Sequence, residues 1–163
     1  MPLSTLCQRC GLCCDGNLFS TVPLRQTEVA AMERLRLAVI KRENGTSPGF
    51  TQRCTALEGR CCTVYAERPE ACRRYRCLLL TALAEGEVSL EDALKVVDEA
   101  HERIRAVEEA LPPARANSPR AVLQRAHQED QPENGGPLPP PTRETWLQTE
   151  SYLDRHFRGR HRR

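Results

Sequence analysis

Nine cysteines, all between Cys7 and Cys77 of a 163-residue chain, constrain this sequence more than any other feature. Four fall in "CQRCGLCC", which starts at Cys7, and the last two of these, Cys13 and Cys14, are adjacent. The others are Cys54, Cys61, Cys62, Cys72 and Cys77. Thiols this dense serve disulfides or metal, and the redox compartment decides which. The opening "MPLSTLCQRC" has no basic stretch followed by an apolar one, so no signal peptide is expected. The longest apolar run, "CLLLTALA" from Cys77, is far short of the roughly 20 residues that span a bilayer. The chain is therefore expected to be cytoplasmic, without membrane contact, and its thiols reduced. Clustered reduced thiols point to metal. Aromatic residues make up only 4% of the chain, so metal would also replace part of the core that large rings normally supply.

The end of the cysteines sets the first boundary. Residues 1–85 read as a cysteine-cluster metal-binding domain, residues 86–129 as a helical extension packing on it, and residues 130–163 as a Pro/Gly linker, a terminal helix and a basic tail. The expected fold is mainly α, a small metal-stabilised domain with helical additions. "VPLRQTEVAAMERLRLAVIKRE" reads as one helix, with Val29, Met32, Leu35 and Val39 on one stripe, broken by "NGTSPG" from Asn44. A loop carries Cys54, Cys61 and Cys62, and short strands could lie near Cys54. Pro69 suits the first turn of a second helix that runs to Gly86. A third starts at Ser89, with Asp92 completing a variant capping box. Its stripe is Leu90, Leu94, Val97, Ile104, Val107 and Leu111, and Pro112 and Pro113 end it. A short helix follows Ser118-Pro119. "QPENGGPLPPPT" is a linker too rich in Pro and Gly to pack. The last helix spans about Arg143 to Phe157, anchored by Trp146, Leu147, Leu153 and Phe157.

Cys7, Cys10, Cys13 and Cys14 follow C-x2-C-x2-C-C. As a helix, this spacing gathers the four side chains within an arc of about 120°. As turns, each C-x2-C is a knuckle that grips one ion. Gly11 suits a tight turn. Cys72 and Cys77, five apart on the second helix, match less well, so Cys77 is expected to face partly elsewhere. The two groups hold more thiols than one tetrahedral ion can use. Two separate sites or one binuclear site would fit, and adjacent side chains point apart, so Cys13 and Cys14 could serve different metals. Thiolates around a dication keep net negative charge, which is costly to bury alone. Arg9, Arg53, Arg60, Arg68, Arg73, Arg74 and Arg76 all lie near cysteines in sequence and could compensate it.

"CQRCGLCC", the isolated Cys54, and "CTVYAERPEACRRYRC" from Cys62 together resemble the CxxCxxCC (YkgJ-type) cysteine-cluster family, whose members are described as zinc or iron chelators. The resemblance covers roughly residues 7–77. It implies a ligand set of Cys7, Cys10, Cys13, Cys14, Cys54, Cys62, Cys72 and Cys77. Tyr65 and Arg68 match its Tyr and Arg-Pro positions and are expected to support the site. Cys61 is extra to the pattern and reads as a non-ligand or a substitute for Cys62. Arg25 stands where similar sequences place a Ser or Thr helix cap, though Glu28 is kept.

The cofactor is expected to be zinc or iron. Thiolates suit both, and iron–sulfur clusters as well. The C-x2-C-x2-C run resembles ferredoxin ligand runs but lacks a following Cys-Pro. Similar clusters are attached to a protein-lysine methylase of flagella, which keeps an iron–sulfur redox or methylase-accessory role open. His101, His127, His156 and His161 fall outside the cysteine domain and read as surface or interface residues. No nucleotide loop or hydrolase motif occurs, so nothing supports an enzyme. A net charge of +2 does not call for nucleic acid, and the short "RGRHRR" end reads as solvated. An unknown protein partner would use residues 86–163, with the metal then serving only to fold the module; the sequence leaves oligomeric state open.

Overall fold

The computed structural model describes residues 1–41 and 46–159. The expected break at Asn44 and most of the basic end, with His161, lie outside them. The fold is mainly helical. In chain order the elements are α1 (Pro2–Cys10), β1 (Thr21–Pro23), α2 (Val29–Arg34), β2 (Gly49–Thr51), β3 (Leu57–Glu58), β4 (Cys61–Cys62), α3 (Glu70–Arg74), α4 (Leu78–Ala84), α5 (Leu90–Ala110), α6 (Val122–Glu129) and α7 (Pro140–Leu153).

The spine is α5. Ser89 caps it: its Oγ accepts the Asp92 N–H at 3.0 Å and donates to the Asp92 carboxylate at 2.7 Å. Ala93, Val97, Ala100, Ile104 and Val107 recur at steps of four and three and are all buried. Such a stripe must be covered, and α1, α6 and α7 pack against it. Two alanines in the stripe let neighbouring helices come close. Leu6, Leu79, Leu123, Trp146, Leu153 and Phe157 complete this bundle core.

A smaller apolar cluster sits beside it. β1 and β2 pair antiparallel, Val22 opposite Phe50, and enclose Leu24, Met32, Leu37 and Ala56. The helix expected from Val22 is thus mostly something else over the described residues 22–41, and its end at Glu43 lies outside them. Its first residues are strand, held by a partner 28 residues later that local periodicity does not register. The helical part stops at Arg34, and Arg36, with φ 61, turns the chain so that Leu37 is buried. β3 and β4 form a hairpin with Leu57 opposite Cys62, close to Cys54.

The expected second helix is two. Tyr75 and Cys77 are extended, and Cys77 caps α4, its Sγ accepting the Leu80 N–H at 3.4 Å. The segment 131–142, expected not to pack, is mostly exposed but is anchored at two points, with Leu138 and Thr142 buried. Leu138 is buried in the bundle core, and its N–H donates to the Asp130 carboxylate at 3.0 Å. α7 begins at Pro140 and continues into a wider π-type turn, Asp154–Arg158. Leu147 is exposed and anchors nothing; Thr149 takes its place inside.

Candidate metal centre

α1 presents Cys7 and Cys10 one turn apart and ends at Gly11, whose φ is 69. A Cβ at Gly11 would sit 2.9 Å from the Arg60 backbone, so glycine serves both the left-handed turn and the close approach of the β3–β4 hairpin. The following turn carries the doublet. The chain around Cys54 grips it twice: Gln52 Nε2 donates to the Cys13 carbonyl and the Cys54 N–H to the Cys14 carbonyl, each at 2.8 Å. On β4, side chains alternate between faces. Cys62 turns inward and Cys61 outward, where its thiol reaches Gln8. Cys72 comes from α3, and Cys77 from the cap of α4.

Cys7, Cys10, Cys13, Cys14, Cys54, Cys62, Cys72 and Cys77 all line one cavity of about 220 Å³, and Cys61 does not. Cys77, expected to face partly elsewhere, is brought in by the break between α3 and α4. Tyr65 and Arg68 line the same cavity. Among the described residues, no three Cys, His, Asp or Glu side chains form a group already arranged to hold an ion. The cavity gathers the thiols without closing them on one point.

Burial governs their protonation. It pushes Cys10 and Cys72 up to about 12 and Cys13 well above the usual thiol range. Cys7, Cys54 and Cys77 rise for the same first reason. Cys14 and Cys62 are hydrogen-bonded to each other. Cys62, which accepts, is lowered, and Cys14, which donates, is raised. A buried thiolate without a counter-charge is thus disfavoured at nearly every position.

The mutual repulsions sort the thiols into two sets. Cys13 feels Cys10, Cys77 and Cys7, and Cys10 feels Cys77 and Cys7. Cys72 feels Cys54 and Cys62, and Cys14 feels Cys62 and Cys54. Cys13 and its neighbour Cys14 link the sets. Packing divides the same way. Cys7, Cys10, Cys13 and Cys77 belong to the bundle core, whereas Cys14, Cys54 and Cys72 belong to the sheet cluster.

Arg68 stands between the sets. Its guanidinium lies 3.5 Å from the Tyr65 ring centroid, and its Nε donates to the Tyr65 carbonyl at 2.7 Å. Its charge favours thiolate at Cys7, Cys62 and Cys72. The Tyr65 hydroxyl donates to the Cys7 sulfur.

Several residues at the site carry no signal in the sequence. Gln52 is buried, holds the Cys13 carbonyl, and leaves its Oε1 without a hydrogen-bond partner among the described residues. His101, expected at the surface or an interface, reaches back from α5 to the Cys10 carbonyl, 2.7 Å from Nε2, and is half-buried between the two helices. Phe157 lines the cavity from the far end of the chain. Only the apolar anchor pattern that flagged Phe157 could have hinted at any of these.

A donor set of buried thiols that resist ionisation alone fits a soft or borderline cation, which supplies the missing positive charge. No curated protein and no solved structure matches the chain. No described helix is long and apolar enough to cross a membrane. The model of the CxxCxxCC family, described as a putative zinc- or iron-chelating domain, matches residues 6–108, through most of α5. With more than half of its length matched, the chain belongs to that CxxCxxCC family.

Proposed function

We propose that the chain binds two metal ions, zinc or iron, through its eight cavity thiols. Cys7, Cys10, Cys13 and Cys77 would hold one, and Cys14, Cys54, Cys62 and Cys72 the other. The observation that carries this reading is the division of the adjacent pair: Cys13 packs in one cluster with Cys7, Cys10 and Cys77, and Cys14 in the other with Cys54 and Cys72. When bound, the metal supplies positive charge that makes buried thiolates favourable, and it cross-links segments far apart in sequence. The protein's own residues do the rest. Arg68 offsets negative charge on both sets, Tyr65 donates to Cys7, and Gln52 fixes the carbonyl of Cys13. The centre would serve structure, storage or chelation.

Protein purified without oxygen and analysed for metal and labile sulfide tests this. The expected result is two equivalents of zinc or iron per chain without sulfide. Brown protein with labile sulfide would replace it with the iron–sulfur redox reading. Metal-free protein that takes up neither ion, with a fold indifferent to chelators, would refute it.

A further inference from the structure

The charged side chains that line the cavity gathering the thiols are all cationic; Asp15 and Glu28 act on Cys13 and Cys72 from nearby but do not line it. Arg60, Arg68, Arg73 and Arg76 line it, and among the described residues no Asp, Glu or His does. Two of the four are engaged: Arg60 pairs with Asp98 at 2.6 Å, and Arg68 lies on Tyr65. Arg73 and Arg76 are exposed, and among the described residues their guanidinium groups make no hydrogen bond or ion pair, though Arg73 acts at longer range on Glu28 and Arg76 on Cys7. Both are placed by elements that deliver ligand candidates, Arg73 beside Cys72 on α3 and Arg76 in the extended link before Cys77.

A site that captures hydrated dications from solution gains from carboxylates at its mouth, because opposite charge steers encounter. This mouth does the reverse. Guanidinium is charged at every accessible pH, and its field reaches about 8 Å at physiological salt. A bare dication therefore approaches against the field, and an anion approaches with it. The planar fork of guanidinium also matches carboxylate oxygens in bidentate geometry.

We propose that metal reaches this site as a small anionic chelate, a carboxylate or thiolate complex of zinc or ferrous iron, which docks on Arg73 and Arg76. The inference rests on the metal reading above and adds the chemical class of the donor. Handover is ligand exchange. A cysteine Sγ–H loses its proton to solvent, the sulfur bonds the metal, and one donor atom of the carrier leaves with its electron pair. No oxidation state changes, so no further reactant is needed.

The test follows loading of metal-free, reduced full-length protein by thiolate-to-metal absorption in rapid mixing. Zinc is offered as its nitrilotriacetate complex, a net anion, or as the aquo ion. Loading of the wild type from the complex is expected to slow as salt rises, while loading from the aquo ion does not. At low salt, Arg73→Gln/Arg76→Gln is expected to load from the complex about tenfold more slowly, with faster loading from the aquo ion and unchanged final stoichiometry. Arg73→Lys/Arg76→Lys should keep most of the rate. Equal salt dependence for both donors in the wild type overturns the proposal and needs no variant, as does equal slowing with both donors in the Gln variant. An equilibrium competition titration is read separately. If the wild type takes no zinc there, the metal reading falls and this inference with it.

Discussion

At the residue scale the site is built from small decisions about which way a side chain faces. Cys61 and Cys62 are neighbours in sequence, yet strand alternation sends one to solvent and one to the cavity. Cys13 and Cys14 both line the cavity but pack with different apolar clusters, on a turn whose carbonyls are held by Gln52 and Cys54. The eight cavity cysteines could be named from their spacing and resemblance, because ligand residues are fixed in type. Gln52 and His101 could not, because they contact backbone carbonyls, and any residue supplies a carbonyl. Gly11 shows how tightly this turn is set. Gly11→Ala would bring φ strain and a Cβ against the Arg60 backbone. It is expected to cost more than about 1 kcal/mol, read from urea denaturation of the metal-loaded protein. An unchanged midpoint would mean that the hairpin moves aside freely.

Elements differ in how much of them is local. The start and stripe of α5 were legible, since its cap is three residues long and its partners lie along one face. β1 was not, because its strand character depends on β2. The break between α3 and α4 was hidden for another reason: helix propensity runs through it, and what stops the helix is Cys77 acting as a cap. Glu28 joins two such starts. One carboxylate oxygen accepts the Arg25 N–H at 2.9 Å and the other accepts the Glu70 N–H, at the first residue of α3, at 2.8 Å. The Arg25 guanidinium also pairs with Glu70. Partial burial raises the Glu28 pKa, but the two N–H bonds and Arg25 together lower it. A lowered carboxyl contributes stability above the ordinary glutamate range and loses it as pH falls through the lowered value. Glu28→Gln is therefore expected to cost about 1 kcal/mol near pH 7, with the difference from wild type shrinking in acid. A difference that holds or grows down to low pH would contradict the role given to this carboxylate.

At the scale of the whole molecule, the cysteines lie where two apolar clusters meet, and the far end of the chain closes the cavity. Phe157 is 1% exposed and lines it, while Arg158 is held by Glu150 and Asp154. The sequence suggested a tethered terminal helix behind a loose linker. Packing of Leu138 and Phe157 makes that helix part of the same core, and such long-range burial leaves no local mark beyond scattered apolar residues. Phe157→Ala is expected to cost about 3–5 kcal/mol and to speed metal release to a chromogenic chelator. Leu147→Ala, on the exposed face of the same helix, should change stability by no more than about 0.5 kcal/mol. Comparable effects of the two would contradict the view that the terminal helix walls the centre.

The central claim is that the doublet divides two metals. Native mass spectrometry of zinc-loaded protein tests it most directly, on the wild type, Cys13→Ser, Cys14→Ser and Cys61→Ser. The account predicts two ions in the wild type and in Cys61→Ser, and one in each of the other two. Replacing both Cys13 and Cys14 should remove both ions. A single ion in the wild type, or loss of all metal on changing either residue of the doublet alone, would contradict it.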